Sequence, residues 1–433
     1  MSVTPGVAAG GEARVGLDDP EFLRCPYPAL AAARAAGGVV PAGRPGWFLV
    51  ARADLVREVL RDTATYSSAV HKHSKPPPEV AEEVAAIRAR GWPYTPGLGT
   101  SDPPVHTRNR RLVNQTFTPR GLAWMEPLVA GVAAELAAAL PDGADGTAVD
   151  FVAAFAQPLP VWAISEILGL PAAHRADVVA WTRAATASIG ARPAAGRWVA
   201  DELALLELQE VLAGALDEQR GDGPDGSGRL IGRLAAAAEA DPEQEISTAL
   251  LLTMLRELLV AGNETTAKTI AQVVLLTDGR EEVWERLRRE PEHADAVAEE
   301  ALRVTSPSLS AHRRVTADTE LGGVAIPAGS TLVLSLAAAN LDPAVFTDPE
   351  RFDPGRDPRE LRQHLAFGQG PHMCVGAGLA RLELRIALRT LAAAVRRIDV
   401  VDPGSVTYNE SYMLRGLLEL PVVVTRLAPG APA

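Results

Sequence analysis

Ala366-Phe367-Gly368-Gln369-Gly370-Pro371-His372-Met373-Cys374-Val375-Gly376-Ala377-Gly378 runs straight into the helical pattern Leu379-Ala380-Arg381-Leu382-Glu383-Leu384-Arg385-Ile386-Ala387-Leu388. A lone cysteine framed by glycines and opening a helix is placed to present its sulfur. Glycines let backbone N–H groups approach closely, and a helix start carries partial positive charge; both favour a thiolate over a thiol. With no second cysteine nearby, that thiolate reads as a metal ligand. Standing alone, a glycine-flanked cysteine would instead read as a buried structural residue in a turn.

The chain has 433 residues, 47% of them hydrophobic, enough to bury a large core in one domain or in two or three. A net charge of −12 and a pI near 5.3 speak against nucleic acid as the main partner. Cys25 and Cys374 are too few and too far apart for a disulfide framework or a zinc cluster, and fit a reducing cytosol. Met1 to Leu17 has neither the basic nor the apolar region of a signal peptide, and no uninterrupted apolar run reaches about 18 residues. A cytoplasmic protein without a membrane span is expected. Residues 1–18 and 428–433, rich in Gly, Pro and Ala without periodicity, are expected to be flexible ends of a single domain, 19–427. Only Gly221–Gly228 has linker composition, and no domain cut is placed there.

Most of the remainder is Ala/Leu/Arg/Glu-rich helix, with β-like runs at Trp47–Val50, Val324–Ile326 and Leu332–Leu334, which gives a mainly α fold with small β-sheets. From Asp241-Pro242-Glu243, a suitable N-cap and first turn, one helical pattern continues to about Thr277. Such a helix exceeds the usual length of roughly 8–20 residues and is expected to cross the core. Its middle reads Ala261-Gly262-Asn263-Glu264-Thr265-Thr266, where Gly262 costs about 1 kcal/mol relative to Ala. Taken alone, Gly262 permits close packing and Thr265 bonds the carbonyl one turn back.

The loop pattern Phe-Gly-x-Gly-x-His-x-Cys-x-Gly, filled by Phe367, Gly368, Gly370, His372, Cys374 and Gly376, resembles the haem-binding loop of the cytochrome P-450 family. The resemblance implies a cytochrome P-450 fold with haem b between the long central helix and the cysteine-loop helix, and Cys374 as the axial iron ligand. Thiolate ligation favours O–O cleavage. The central segment resembles the family's oxygen-site motif: Ala261 and Gly262 would make room for O2, Thr265 would steady the bound oxygen and its water, and Glu264 would relay protons between that site and solvent. Glu300-Ala301-Leu302-Arg303 together with Pro349-Glu350-Arg351-Phe352 resembles the family's structural triad, implying a buried Glu300, Arg303, Arg351 cluster. The haem propionates would be met by His106 and Arg110, by Arg313 and by His372, with Phe367 packing near the sulfur and N–H groups around Gly376 tuning it. One departure is Leu341, where the family commonly has Arg. The recognisable segments run from about Asp102 to Gly416, and the ending Ser411 to Leu417 resembles the family's C-terminal loop.

These matches imply a monooxygenase that inserts one atom of O2, by hydroxylation or epoxidation, into an apolar or amphipathic small molecule. Substrate contacts are expected in 76–98, 179–199, 255–265, 309–312 and 412–413. Alternatives are the same haem enzyme doing peroxide-driven oxidation, oxidative coupling or desaturation, or a non-catalytic haem sensor or ligand carrier. No Gly-x-Gly-x-x-Gly opens a βαβ unit, so electrons are expected from a separate ferredoxin and NAD(P)H-dependent reductase. Arg108, Arg111, Arg381 and Arg385 would form the basic face that greets an acidic ferredoxin. A monomer is expected, and the Ala- and Arg-rich composition suits a GC-rich bacterial source, compatible with specialised-metabolite, terpenoid or lipid metabolism.

Overall fold

A computed structural model describes residues 14–70, 74–143, 146–191, 193–219, 229–240 and 246–427. The Gly221–Gly228 stretch, the Asp241 start signal, residues 1–13 and the tail 428–433 lie outside the described residues. Val15 and Leu17, read as part of a loose end, are instead buried, and the Val15 N–H donates to the Pro41 carbonyl at 3.0 Å. The packed chain thus starts ahead of the expected boundary at 18.

The helices used below are α1 (Ala53–Arg61), α2 (Val105–Asn114), α3 (Pro158–Leu168), α4 (Thr248–Leu276), α5 (His293–Thr305) and α6 (Ala377–Ala394). Strands are β1 (Val39–Pro41), β2 (Trp47–Val50), β3 (Tyr66–Ser67), β4 (Val149–Asp150), β5 (Ser310–Val315), β6 (Thr319–Leu321), β7 (Val324–Ile326), β8 (Thr331–Ser335), β9 (Val395–Val400) and β10 (Pro421–Arg426). Helices dominate and the sheets are small, as the sequence indicates. The chain divides into two compact units, one drawn from Met1–Lys72, Glu299–Cys374 and Tyr408–Arg415, the other from His73–Ala298, Val375–Thr407 and Gly416–Ala433.

In the first unit a five-stranded sheet has the order β1-β2-β8-β5-β3. Strand β8 lies inside it, parallel to β2 (Trp47 opposite Thr331) and antiparallel to β5 (Ser310 opposite Ser335). Flanked on both sides, β8 is buried at every position, which explains its unbroken apolar run. Its Leu332 and Leu334 join Val50, Val56, Val59 and Leu365 in one apolar core. Strand β5, absent from the sequence reading, is Ser-Ala-His-Arg-Arg-Val; its polar side chains hid a strand whose ladder bonds come from chain segments distant in sequence.

The second unit is built around α4. Its start is Ser247, whose Oγ accepts from the Leu250 N–H at 3.2 Å, a Ser cap on the apolar run that follows. The helix is buried on nearly all sides, and within it only Ala261 is exposed. Its apolar runs, 249–252 and 273–276, flank a polar middle and anchor it in the core. Among the described residues no helix is long and apolar enough to cross a membrane.

Candidate active site

In the first unit the cysteine loop is held from beneath. Gly368 and Gly370 adopt left-handed backbone (φ +65° and +74°), and a Cβ on Gly370 would collide with the Leu60 carbonyl at the end of α1. Only glycine fits there. The Cys374 N–H donates to the Phe367 carbonyl at 2.9 Å, closing the loop on itself, and Cys374 is exposed. His364, at the loop's base, reaches Glu299 through Nε2 (2.8 Å) and accepts the Ala366 N–H on Nδ1 (3.2 Å). Because Nδ1 accepts, the proton donated to Glu299 sits on Nε2. The same ring lies 6.0 Å from that of Phe367. His364 is a functional candidate missed by the sequence reading, since only the fold brings Glu299 to it.

The Glu300–Arg303 pair is fully buried and bidentate, with Nε–Oε2 and Nη2–Oε1 both at 2.7 Å. Arg303 also donates to the carbonyls of Asn340, Pro349 and Arg351. The third member is corrected here: it is Arg356, not Arg351. Arg356 places Nε at 3.2 Å from both Glu300 oxygens, with its side chain 5% exposed. The Arg351 side chain is 68% exposed and only 4.0 Å from Asp353. Arg351 serves the cluster with its carbonyl, and the turn through Asp353 and Gly355 returns the chain so that Arg356 reaches Glu300. Burial lowers the Arg356 pKa, but Glu300 and Glu360 outweigh it and raise it. Leu341, in place of the family's Arg, is simply buried. Arg313 on β5 is also buried and donates to the neighbouring His312 carbonyl at 2.7 Å, while His372 closes a short 3-10 turn, Gly370–His372.

In the second unit α2 carries His106 and Arg110 one turn apart, hence on one face. His106 is buried, and the Arg110 Nε donates to Asn114 at 2.9 Å. On α4, the Thr265 hydroxyl donates to the Ala261 carbonyl at 3.1 Å, the local bond that its position alone suggests. A Cβ on Gly262 would stand 2.7 Å from Ile164 Cδ1, so its bare Cα also lets α3 pack on α4. Ala261, one residue back, is the small exposed position. Gly376 caps α6 and accepts the Ala380 N–H at 2.9 Å.

Buried within α6 is Glu383, which the sequence reading passed over as part of a helical pattern. It is 0% exposed, and the Thr266 hydroxyl is the hydrogen-bonding group set against its carboxyl. Burial holds its carboxyl well above the usual range; the Thr266 hydroxyl pulls the other way and is outweighed.

Residues 225–394 match the family model for Cytochrome P450. The chain is 36% identical over 409 residues to cytochrome P450 monooxygenase PikC of Streptomyces venezuelae, covering 93% of this chain and 92% of that one. It is equally 36% identical over 409 residues to the vitamin D(3) 25-hydroxylase of Pseudonocardia autotrophica, covering 93% and 94%. Among solved structures it resembles cytochrome P450 CYP109Q5 from Chondromyces apiculatus, with TM-score 0.79, 30% identity, and 98% and 100% coverage. The chain belongs to the cytochrome P450 family. It is a P450 monooxygenase, with haem b as cofactor and O2 as cosubstrate.

The residues present fit that cofactor. One exposed thiol stands in a glycine-shaped turn, the chain carries imidazoles and guanidiniums of the kind that suit carboxylates, and the core helix exposes a single small side chain at Ala261.

Proposed function

We propose that this protein inserts one oxygen atom from O2 into an apolar or amphipathic small molecule, by hydroxylation or epoxidation, with electrons from a separate ferredoxin and reductase. The observation that carries the reading is the Cys374 loop, closed on Phe367 and shaped by two left-handed glycines, in a chain whose core helix bears the Glu264–Thr265 acid–alcohol pair. The relative named for hydroxylation of vitamin D(3) supports a lipophilic substrate.

In this proposal Cys374 would hold the haem iron through its thiolate, and His106, Arg110, Arg313 and His372 would meet the propionates. The haem, once bound, supplies O2 binding and O–O cleavage. Thr265 offers a hydroxyl already oriented by the Ala261 carbonyl, and Glu264 carries protons to it from water. Arg303, Glu300 and Arg356 hold the segments beneath the loop. Leu309 and Ser310 zip to the C-terminal loop through the Met413 and Tyr412 carbonyls, at 2.7 and 3.2 Å, and we assign that wall to substrate contact.

Reduction with dithionite under CO tests the core of this. The wild type is expected to show a strongly red-shifted CO band that is lost in Cys374→Ala; an unchanged band in the variant would overturn the ligand assignment. Labelled O2 should then appear in product at one atom per turnover, whereas label-free product would favour a peroxide route.

The ferredoxin face is assigned to Arg108, Arg111, Arg381 and Arg385, of which Arg385 also lies 3.5 Å from Asp295. Arg111→Glu is expected to slow reduction by an acidic ferredoxin about tenfold at low salt, with the gap closing as salt screens the charge. Stopped-flow reduction rates across a salt series check it; equal rates would remove this face.

A further inference from the structure

Glu264 is tied by an ion pair to a residue on its own helix. Lys268 Nζ lies 2.6 Å from Glu264 Oε1, and the two side chains are 10% and 21% exposed. The other oxygen, Oε2, is buried and has no hydrogen-bond partner. The stem of Lys268 runs over Gly416, where an added Cβ would overlap Cγ, Cδ and Cε of the lysine. A lysine whose stem is already confined loses little further freedom on pairing, and a pair this sheltered is poorly screened by salt.

We propose that Lys268 is a positioning residue for Glu264, and that Gly416 exists as glycine to let Lys268 reach it; this rests on the reading of Glu264 as the proton carrier. With Oε1 held by the ammonium, Oε2 is the oxygen that trades protons. An O–H bond forms there as a hydronium ion gives up a proton and becomes water, and it breaks as the proton moves on and the carboxylate is restored, while Lys268 keeps all three of its N–H bonds. The helical spacing of four residues brings the ammonium to the acid, and the bare Cα of Gly416 leaves room for the stem that carries it. Thr265, on the adjoining position, then meets an acid with one orientation.

The test is a double-mutant cycle on the holoenzyme with Glu264→Gln, Lys268→Met and Gly416→Ala, driven by a plant ferredoxin and its NADPH reductase. Two quantities are read: the solvent isotope effect on NADPH consumption with H2O2 released per NADPH, and the urea midpoint. Lys268→Met keeps the stem and removes the charge. It is expected to raise H2O2 per NADPH severalfold and increase the isotope effect, with Gly416→Ala doing the same and the CO band unchanged in both. Adding Lys268→Met to Glu264→Gln should change H2O2 release by less than twofold, and the two should also couple in the urea midpoint. Multiplying effects in the double variant, or an unchanged isotope effect in Gly416→Ala, would overturn the inference while leaving Glu264 as carrier. A silent Glu264→Gln would instead sink the carrier reading, and the tether's role with it.

Discussion

Arg303→Met is expected to cost about 3–5 kcal/mol of folding stability, read as a fall in the urea midpoint of the full chain. The side chain is fully buried and makes five hydrogen bonds, two to Glu300 and three to backbone carbonyls. Removing it strips a buried carboxylate of its bidentate partner and leaves three carbonyls short of a donor, and each unmet group is penalised in its own right. Lysine would not rescue, because a point charge cannot span the fork that the guanidinium fills. The comparison that decides the triad is Arg356 against Arg351. Arg356→Ala should destabilise by a similar amount, since Nε is shared between both Glu300 oxygens and Nη1 meets Glu360 at 2.6 Å. Arg351→Ala should stay within about 0.5 kcal/mol, because its exposed side chain supplies nothing buried. A large loss in Arg351→Ala would restore the assignment read from sequence.

Glu383→Gln is expected to abolish a pH dependence that the wild type shows. The folded carboxyl titrates well above its reference of 4.5, because burial disfavours the charged form. Below the unfolded pKa both states hold the proton and the contribution to stability is complete. As pH rises past that point the unfolded chain loses its proton first, the folded state binds more protons, and stability falls until the folded carboxyl titrates too. One such group gives a slope of at most about 1.4 kcal/mol per pH unit. Urea midpoints from pH 5 to pH 9 should therefore fall in the wild type relative to Glu383→Gln. Parallel curves would mean that the carboxylate finds a partner in solution. Glu383→Leu, which takes the buried carboxyl out of the core, should remove the same pH dependence.

Much of the site was legible because its signals are local. The spacing of glycines about Cys374 is a backbone requirement, and the collision that a Cβ on Gly370 would make with the Leu60 carbonyl shows why. Glu300 and Arg303 share a face because three residues nearly complete a helical turn. The same holds for His106 with Arg110. The central helix was legible as an apolar stretch without proline, although its first turn proved to be capped by Ser247.

What failed to show in the sequence involves partners that only packing selects. Gly262 reads in the sequence as room for O2, and only packing shows that its bare Cα also admits Ile164, about a hundred residues away. Arg351 and Arg356 both follow Glu300 by some fifty residues, and composition cannot say which reaches it; the turn through Asp353 and Gly355 does. Glu383 reads as one polar position in an amphipathic helix, and becomes unusual only because α6 is enclosed where that position falls. Lys268 likewise looks like a solvated helix residue until Gly416 lies against its stem. Sequence by itself determined the family, the glycine frame of the cysteine loop and every pairing that helical or turn geometry fixes over a few residues. The tertiary structure decided which polar groups are taken out of water and which distant atoms meet them, because burial and long-range contact belong to the packed chain and to no local stretch of it.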